Sequence, residues 1–597
     1  EIMPSLVGSE MCIRDRLFSL FCVMFLQISI VYGRDTLFVS PSGNGDEYTR
    51  VSPGNIAKLG YRLASINKQC DHLVVYLLGG VYELNEPLLI TSNEKNSHID
   101  TLTFAGSSSE VAVLSGGRTV SQWKQVKNGV YKAALPSGVN FRQLYVNDKM
   151  EIRARFPNRI NEEDYSPYNR VVGFDEKEQT VSVLSSDMEN IALTAGSEMV
   201  INHHWYQSRF RIDSFFSNDH NFVIKPEKNA CKHLFELTYA KMLAPGKPYY
   251  FENAYNYLDQ EREWFFDCQS SMLYYYPPKN RKIDSLNVVY PVLDCVLRIM
   301  GTKEKPIENI HIQNIKLGYS NWLLPSSIGI IGTQGVQGRG YTGEMERGIL
   351  EVEFANDIQI SHCQFVGAGD NGVVFVSGVK NSCVIHSHFD QISANGLVID
   401  TYRKGLQPKS NVCEKIVIED NLIENVGMHY TNGMGIIASY VAKTVIQYNE
   451  ICYGRYTGIQ LGNHFGDNIS VMRDNIIRRN NIHHVMQLHD DGGAIYTLAL
   501  QPGTCIKENW MHDFGRCEWA DNFPVNGVFL DNNSGYIRVQ DNVFTDLDTV
   551  DRIKEQCAGN ATTRDNILVN NNSQDSEVKE IAGFRGRVGV VIANLME

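Results

Sequence analysis

Apolar residues return along the second half of the chain in a fixed local order. An apolar residue is followed by two free positions, asparagine, one free position and a second apolar residue. The unit occurs as Ile418/Asn421/Ile423, Ile446/Asn449/Ile451, Ile477/Asn480/Ile482, Ile506/Asn509/Met511 and Val539/Asn542/Phe544, and fades at Asn566/Leu568. Ile360/Cys363/Phe365 and Val384/Ser387/Phe389 fit with the asparagine replaced. Successive anchors lie 24 to 34 residues apart. Such a period suits one turn of a parallel β-helix, in which each coil adds a strand to every sheet about 4.8 Å above the last. Asparagines stacked at one corner can hydrogen-bond along the ladder. The LxxLxL pattern of leucine-rich repeats is absent.

A second column follows each anchor, a glycine and then a short apolar strand, at Gly372, Gly396, Gly435, Gly458, Gly493 and Gly527. The anchor-to-glycine spacing is 9 in three coils, but 14, 13 and 18 in the coils anchored at Asn421, Asn480 and Asn509. The extra residues therefore enter at one corner, in neighbouring coils. Insertions gathered on one face of a solenoid mark its binding face.

Upstream the texture changes. Arg34 to Gly45 reads as a strand and a turn, and Ile56, Leu59, Leu63 and Ile66 have helical spacing behind an N-cap at Ser52. Short strands are predicted at His72–Leu78, Leu88–Thr91, Thr101–Ala105 and Val111–Ser115. A helix ahead of the first coils would cover an otherwise open solenoid end. From Thr119 to about Val296 the chain alternates in the antiparallel manner with no fixed period, and it holds Trp123, Trp205, Trp264 and the run Tyr274, Tyr275, Tyr276. The predicted architecture is all-β: a right-handed parallel β-helix with an N-terminal cap helix and first coils (34–118), an inserted antiparallel β-sandwich-like domain (119–296), and coils carrying the active site (297–597).

Composition narrows this little further. At 597 residues the chain is too long for one compact core, and a net charge of −13 argues against a nucleic-acid partner. Residues 1–16 read as a translation artefact. Residues 17–33 read as a signal peptide behind Arg14 and Arg16, shorter than the roughly 20 residues of a membrane span. A secreted or periplasmic protein with no membrane attachment after cleavage, and a monomer, is expected. The 13 cysteines include no CxxC pair, which argues against structural zinc; Cys505 and Cys517 are candidates for a disulfide. His483 and His484 are adjacent and no HxH or HExxH occurs, so neither metal nor cofactor is expected.

The enlarged corners bring in His429 and Tyr430, then His489, Asp490 and Asp491, then Glu518, Trp519 and Asp521. Asp531 sits four residues after Gly527, and Asp400 holds the same column several coils earlier. Acids on neighbouring coils, at the same rim, can flank one glycosidic bond. One protonates the leaving oxygen; the other attacks or activates water. Locally, Asp490-Asp491-Gly492-Gly493 also reads as a turn whose carboxylates bond backbone amides. Tyr496, Trp510 and Trp519 are candidates to stack on sugar rings, and Trp322 and Gln334 to reach the cleft from before the regular coils.

Five stretches then carry a resemblance: RQLYVNDKMEIRARFPN (Arg142–Asn158), EWFFDCQSSMLYYYPP (Glu263–Pro278), SNWLLP (Ser320–Pro325), DGGAIYT (Asp491–Thr497) and GVFLDNNSG (Gly527–Gly535). In this order they resemble the β-helix glycoside hydrolases of family 141, related to family 120, from Arg34 to about Asn572. The resemblance implies a carbohydrate substrate in plant or algal polysaccharide, with fucosidase, xylanase or xylosidase activity. It implies Asp491 and Asp531 as catalytic carboxylates, with Asp490 an alternative to Asp491, and Glu508 or Glu518 an alternative second acid. It brings His204 and Trp205 of the insert towards the cleft. With the loop, column and aromatic candidates above, the expected substrate-binding set is Asp490, His489, Tyr496, Trp519, Glu518, His204, Trp205, Trp322, Gln334 and Asp400. Cys557-Ala-Gly-Asn560 departs from the His-Gly of relatives, and RVGVVIANLME at the end fits no coil. A polysaccharide lyase using Arg455 or Lys507, and a non-catalytic carbohydrate-binding solenoid, are the rival readings.

Overall fold

The computed structural model describes residues 35–584, apart from short stretches at 127–128, 160–168, 189–192, 194–195, 218–219, 237–242, 324–329, 334, 336–346, 402–407, 463–469, 518–522, 549–550, 556–564 and 572–574. Three long sheets of parallel strands, of twelve, ten and ten strands, wrap one core. Each coil crosses them in the same order. In the coil anchored at Asn480, Ile476–Arg478 lies in the first sheet, Asn481–His483 in the second and Gly492–Thr497 in the third. The repeat residues stack inward: Ile418, Ile446, Ile477 and Ile506 on one wall, Ile423, Ile451, Ile482 and Met511 on the next, all 0–1% exposed. β-Branched residues dominate because each is buried on a pleated wall with identical neighbours above and below.

The corner between the first and second sheets is built the same way each time. The residue before each anchor (Asp420, Tyr448, Arg479, Glu508, Asp541) takes a left-handed backbone with φ of 53–56°. Such a conformation costs about 1–2 kcal/mol for a residue other than glycine. The anchor offsets it. Nδ2 of Asn421 donates to Oδ1 of Asn449 (2.9 Å), Asn449 to Asn480 (3.0 Å), Asn480 to Asn509 (2.9 Å), Asn509 to Asn542 (2.9 Å) and Asn542 to Asn571 (3.0 Å). Each receiving Oδ1 also takes the backbone N–H of the anchor before it. The ladder thus ends at Asn571, three residues after Leu568, not at Asn566. Asn566 precedes the strand Ile567–Val569 and accepts from Ile537 N (3.1 Å) at the neighbouring corner, the place Asn475 holds below it.

The glycine column is close-packed backbone. A Cβ on Gly435 would lie 2.6 Å from the Gly458 carbonyl oxygen and 2.6 Å from Ile451. Pairing of Ile459 with Ile495 and of Ile495 with Val528 puts Ala494, not Gly493, in this column. At the far end the helix Leu59–Ala64 covers the first coils with Leu59 and Leu63, both 0% exposed. A 3-10 turn, Ile56–Lys58, leads into it and is capped by Asn55, which accepts from Ala57 N, rather than by Ser52.

The coil strands stop at Ala112–Ser115 and resume at Leu297–Met300, which pairs directly with Leu88–Thr91. Between them, mainly antiparallel strands form sheets of four and five and supply eight strands of a sheet of nine. The nine-stranded sheet is also joined from outside, since Ile330–Thr333 pairs with Tyr206–Arg209. Where this region meets the coils, Arg142, Arg153 and Arg209 enclose Glu198 and Glu252, all buried. Arg142 holds Glu198 with two bonds of 2.8 and 2.6 Å, Arg153 reaches both glutamates, and Arg209 binds Glu252 and the His429 carbonyl of the coil loop. A buried network of this kind tolerates no missing partner. Cys505 and Cys517 are not bonded to each other: Cys505 lies in a first-sheet strand, while Cys517 follows a second-sheet strand.

Candidate active site

Asp491 immediately precedes the third-sheet strand Gly492–Thr497, and Asp531 immediately follows the next rung, Val525–Leu530. Because Tyr496 pairs with Phe529 and Thr497 with Leu530, Asp491 lies level with Pro524 and Asp531 level with Leu498. The two acids are therefore at opposite ends of a strand pair rather than stacked at one rim. Their fields still meet: the Asp531 charge acts on Asp491, and both act on the Tyr456 and Tyr496 hydroxyls.

The environments differ. Asp491 adopts φ 58°, a conformation aspartate tolerates, and its carbonyl accepts the Tyr456 hydroxyl (2.7 Å). A Cβ on Gly492 would strike Thr457 Oγ1 (2.6 Å) and the Tyr456 ring (2.9 Å), so only glycine lets the chain enter the strand here. Among the described residues nothing hydrogen-bonds the Asp491 carboxyl. Burial, then the charges of Asp531 and Asp490, hold it well above the ordinary carboxylate range. Asp531 is raised by burial too, but hydrogen bonds oppose the shift. Its Oδ2 accepts from Tyr496 (2.6 Å) and Asn532 (3.1 Å), while its buried Oδ1 has no hydrogen-bond partner among the described residues. Both carboxyls are thus raised, Asp491 the further of the two, while hydrogen bonds restrain the rise at Asp531 and leave one of its oxygens uncommitted.

Asp490 and His489 face the insert. Lys247 Nζ lies 3.2 Å from His204 Nε2 and, having only protons to offer, donates there. That places the ring proton of His204 on Nδ1, which donates to Asp490 (2.9 and 3.1 Å). The Asp490 N–H donates to the His204 carbonyl (3.0 Å). Nδ1 of His489 donates to the carbonyls of His203 (3.0 Å) and His204 (3.1 Å), and its Nε2 lies 2.9 Å from Thr431 Oγ1. Burial pushes the His489 pKa down to about 4, so the ring is neutral. The loop bearing Asp491 is in this way fastened to the insert at the residue before it.

Residues 131–278 match the family model described as the GH141 insertion domain. A solved structure titled "Glycoside hydrolase" is similar to the chain at a TM-score of 0.82 and 24% identity, over 93% of this chain and 99% of that one. The chain resembles the β-helix hydrolases of family 141. "The complex structure of XylC with xylose" is more remote, at a TM-score of 0.42 and 10% identity over 89% and 86% of the two chains. No curated protein matches in sequence.

Within this family-141-like frame the remaining candidates separate. Tyr496 touches Asp531 directly. Trp205 is buried and meets Phe523, just ahead of the Asp531 strand, with ring centroids 5.5 Å apart; the His204 ring is 4.1 Å from the same phenylalanine. Trp322 is buried edge-on against Tyr430, 5.1 Å away. Asp400 does occupy the Asp531 column, through Ser439, Gly462 and Leu498. Four rungs, roughly 19 Å, separate them, and Asp400 is fully buried. Glu518, Trp519 and Gln334 lie outside the described residues. Glu508 is at the asparagine corner, bound to Arg479 at 2.5 Å. Lys507 lies in the first sheet and Arg455 is engaged by Gln487, so neither proposed lyase base contacts the acids. Sequence reasoning missed Tyr456 and Lys247. Tyr456 was signalled only by its place two residues before Gly458, one rung below Gly492; Lys247 carried no signal.

Proposed function

We propose that the chain is a glycoside hydrolase in which Asp491 is the general acid and Asp531 the ionised partner. Asp491 donates its proton to the departing glycosidic oxygen, while Asp531, through its uncommitted Oδ1, attacks the anomeric carbon or takes a proton from the attacking water. What supports this is the contrast between the two carboxyls, one held well above the ordinary carboxylate range by burial and neighbouring charge, the other raised by burial but restrained by hydrogen bonds from Tyr496 and Asn532. The groups gathered at the acids are tyrosines, an asparagine and a further carboxylate. That setting suits a neutral sugar better than a uronate, and we infer a fucoside or xyloside in plant or algal polysaccharide. The similarity of the insert and of the whole fold to family 141 supports the same reading. Export is part of the proposal, supported by the apolar run behind Arg14 and Arg16, and N-terminal sequencing of protein recovered from the medium tests it.

The decisive experiment is a screen on aryl α-L-fucosides, aryl β-xylosides and xylan, with the product anomer followed by NMR and absorbance read for unsaturated products. Turnover without unsaturated product, lost in Asp491→Asn and Asp531→Asn, is expected. Unsaturated product, or full turnover in either variant, would overturn the assignment.

A further inference from the structure

The outer face of the second sheet carries metal-ligand side chains on successive rungs. Glu424 pairs with Cys452, Cys452 with His483 and His483 with His512. Asp390 continues the column below Glu424, since the residue before it, Phe389, pairs with Ile423. The alternate residues Phe389, Ile423, Ile451, Ile482 and Met511 point into the core, so this column points out. Two trios result, Glu450/Cys452/His483 and His388/Asp390/Glu424, and within each the candidate ligand atoms all lie within 4.8 Å of one another.

Geometry separates the trios. Tetrahedral zinc with bonds of about 2.0–2.1 Å to nitrogen and oxygen holds those ligands about 3.3–3.4 Å apart. His483 Nε2 and Glu450 Oε1 are 3.3 Å apart. His388 Nε2 and Glu424 Oε1 are at 2.8 Å, a closed hydrogen bond that must open before both could bind one ion. We propose that Glu450, Cys452 and His483 form a binding site for a zinc-class divalent cation, offering oxygen, sulfur and nitrogen with a fourth position left to water.

Three further observations support it. The His483 ring is already aimed: it stacks on His512 (4.9 Å, 20°), which stacks on Trp510 (3.9 Å, 21°). Nδ1 of His483 lies 2.8 Å from Nδ1 of His484, which can take its proton's hydrogen bond and leave Nε2 as the ligand, the usual arrangement behind a metal-bound imidazole. The charges of Glu424, Glu450 and Asp390 all bear on Cys452, and among the described residues no lysine or arginine is ion-paired with these three carboxylates. Binding would form a Zn–S bond and release the thiol proton to water, with no change of oxidation state. His483 is the residue from which the loop to Asp491 departs, so the ion would fasten the root of that loop to the coil below.

The test is made on the full chain, stripped with chelator and titrated with Zn2+ by calorimetry and thermal melting, and with Co2+ by absorbance. About one equivalent of Zn2+, a higher Tm and a near-ultraviolet thiolate-to-cobalt band are expected. The band should vanish in Cys452→Ser, the Tm shift should be lost in His483→Gln, and His388→Ala should keep both. No Zn2+ binding by the wild type, or a band that survives Cys452→Ser, would overturn the site. None of these readings depends on turnover.

Discussion

The two corners flanking the second sheet are made from the same coils, yet behave oppositely. At the asparagine corner every rung from Asn421 to Asn542 repeats the same strained residue, the same anchor and the same pair of hydrogen bonds. At the other corner the anchor-to-column distance runs 9, 14, 9, 14 and 18 from Ser387 to Asn509, counting Ala494 in the column. There Asp490, Asp491, the buried histidines and the contacts with the insert collect, while Asp531 faces Asp491 from the far end of the third-sheet strands. Repetition at one corner fixes the vertical register of the strands, and this lets the opposite corner vary in length without the rungs slipping. Stability and chemistry are thereby assigned to different edges of one solenoid.

The comparison predicts that substitutions at the two edges fail differently. Asp491→Asn and Asp531→Asn should each lower kcat by about 10²–10⁴-fold with no loss of Tm, measured by initial rates and calorimetry on the same samples. Asn449→Ala should do the reverse. It orphans the backbone N–H of Asn421 and one of the two Nδ2 protons, the other staying on the Val384 carbonyl, and should cost about 3 kcal/mol in urea unfolding, with kcat per folded molecule unchanged. Asn571→Ala, at the end of the ladder, should cost less. A large kcat effect from Asn449→Ala would break the division between the edges.

Smaller effects sharpen it. Tyr496→Phe removes a charge-assisted bond to Asp531 that lowers its pKa. Its kcat should fall about tenfold, and the acidic limb of the pH–rate profile should move to higher pH. The stability effect of Asp491 carries the opposite sign to a salt bridge. Its folded pKa lies above the unfolded value of about 3.9, so the folded chain binds more protons and stability falls as pH rises between the two. Asp491→Asn should therefore melt above the wild type at pH 7, with the gap closing below about pH 4. An Asp491→Asn protein that melts lower at pH 7 would mean the carboxylate is stabilised rather than strained.

Much of the architecture was legible because a solenoid writes its period into the sequence. The asparagine column, the glycine column apart from Gly493, and the unequal corner all survive in the structure. What escaped was set by contacts between distant segments. Nothing near Asp490 indicates that His204, 286 residues away, holds it. Its neighbour His489 is likewise spent on the insert backbone. Asn566 looked like the next anchor because it precedes an apolar residue, and only the stacking distinguishes it from Asn571. The expectation of acids at one rim failed because the column fixes which strands are neighbours, not which end of a strand a loop residue joins. Spacing rules also missed Cys452 and His483, which are 31 residues apart but pair on adjacent strands.

The asparagine ladder also has a direction. From Asn421 to Asn542 each amide donates one proton up to the next Oδ1 and one down to a backbone carbonyl of the coil below, so each of these coils presents the same socket and the same plug. Whole coils could be gained or lost at most heights by duplication without rewriting their neighbours. The boundary between the Gly492–Thr497 and Val525–Leu530 strands is the exception: a coil added there would carry the two acids out of each other's field, so lineages sharing this chemistry should vary in coil number everywhere but at that step.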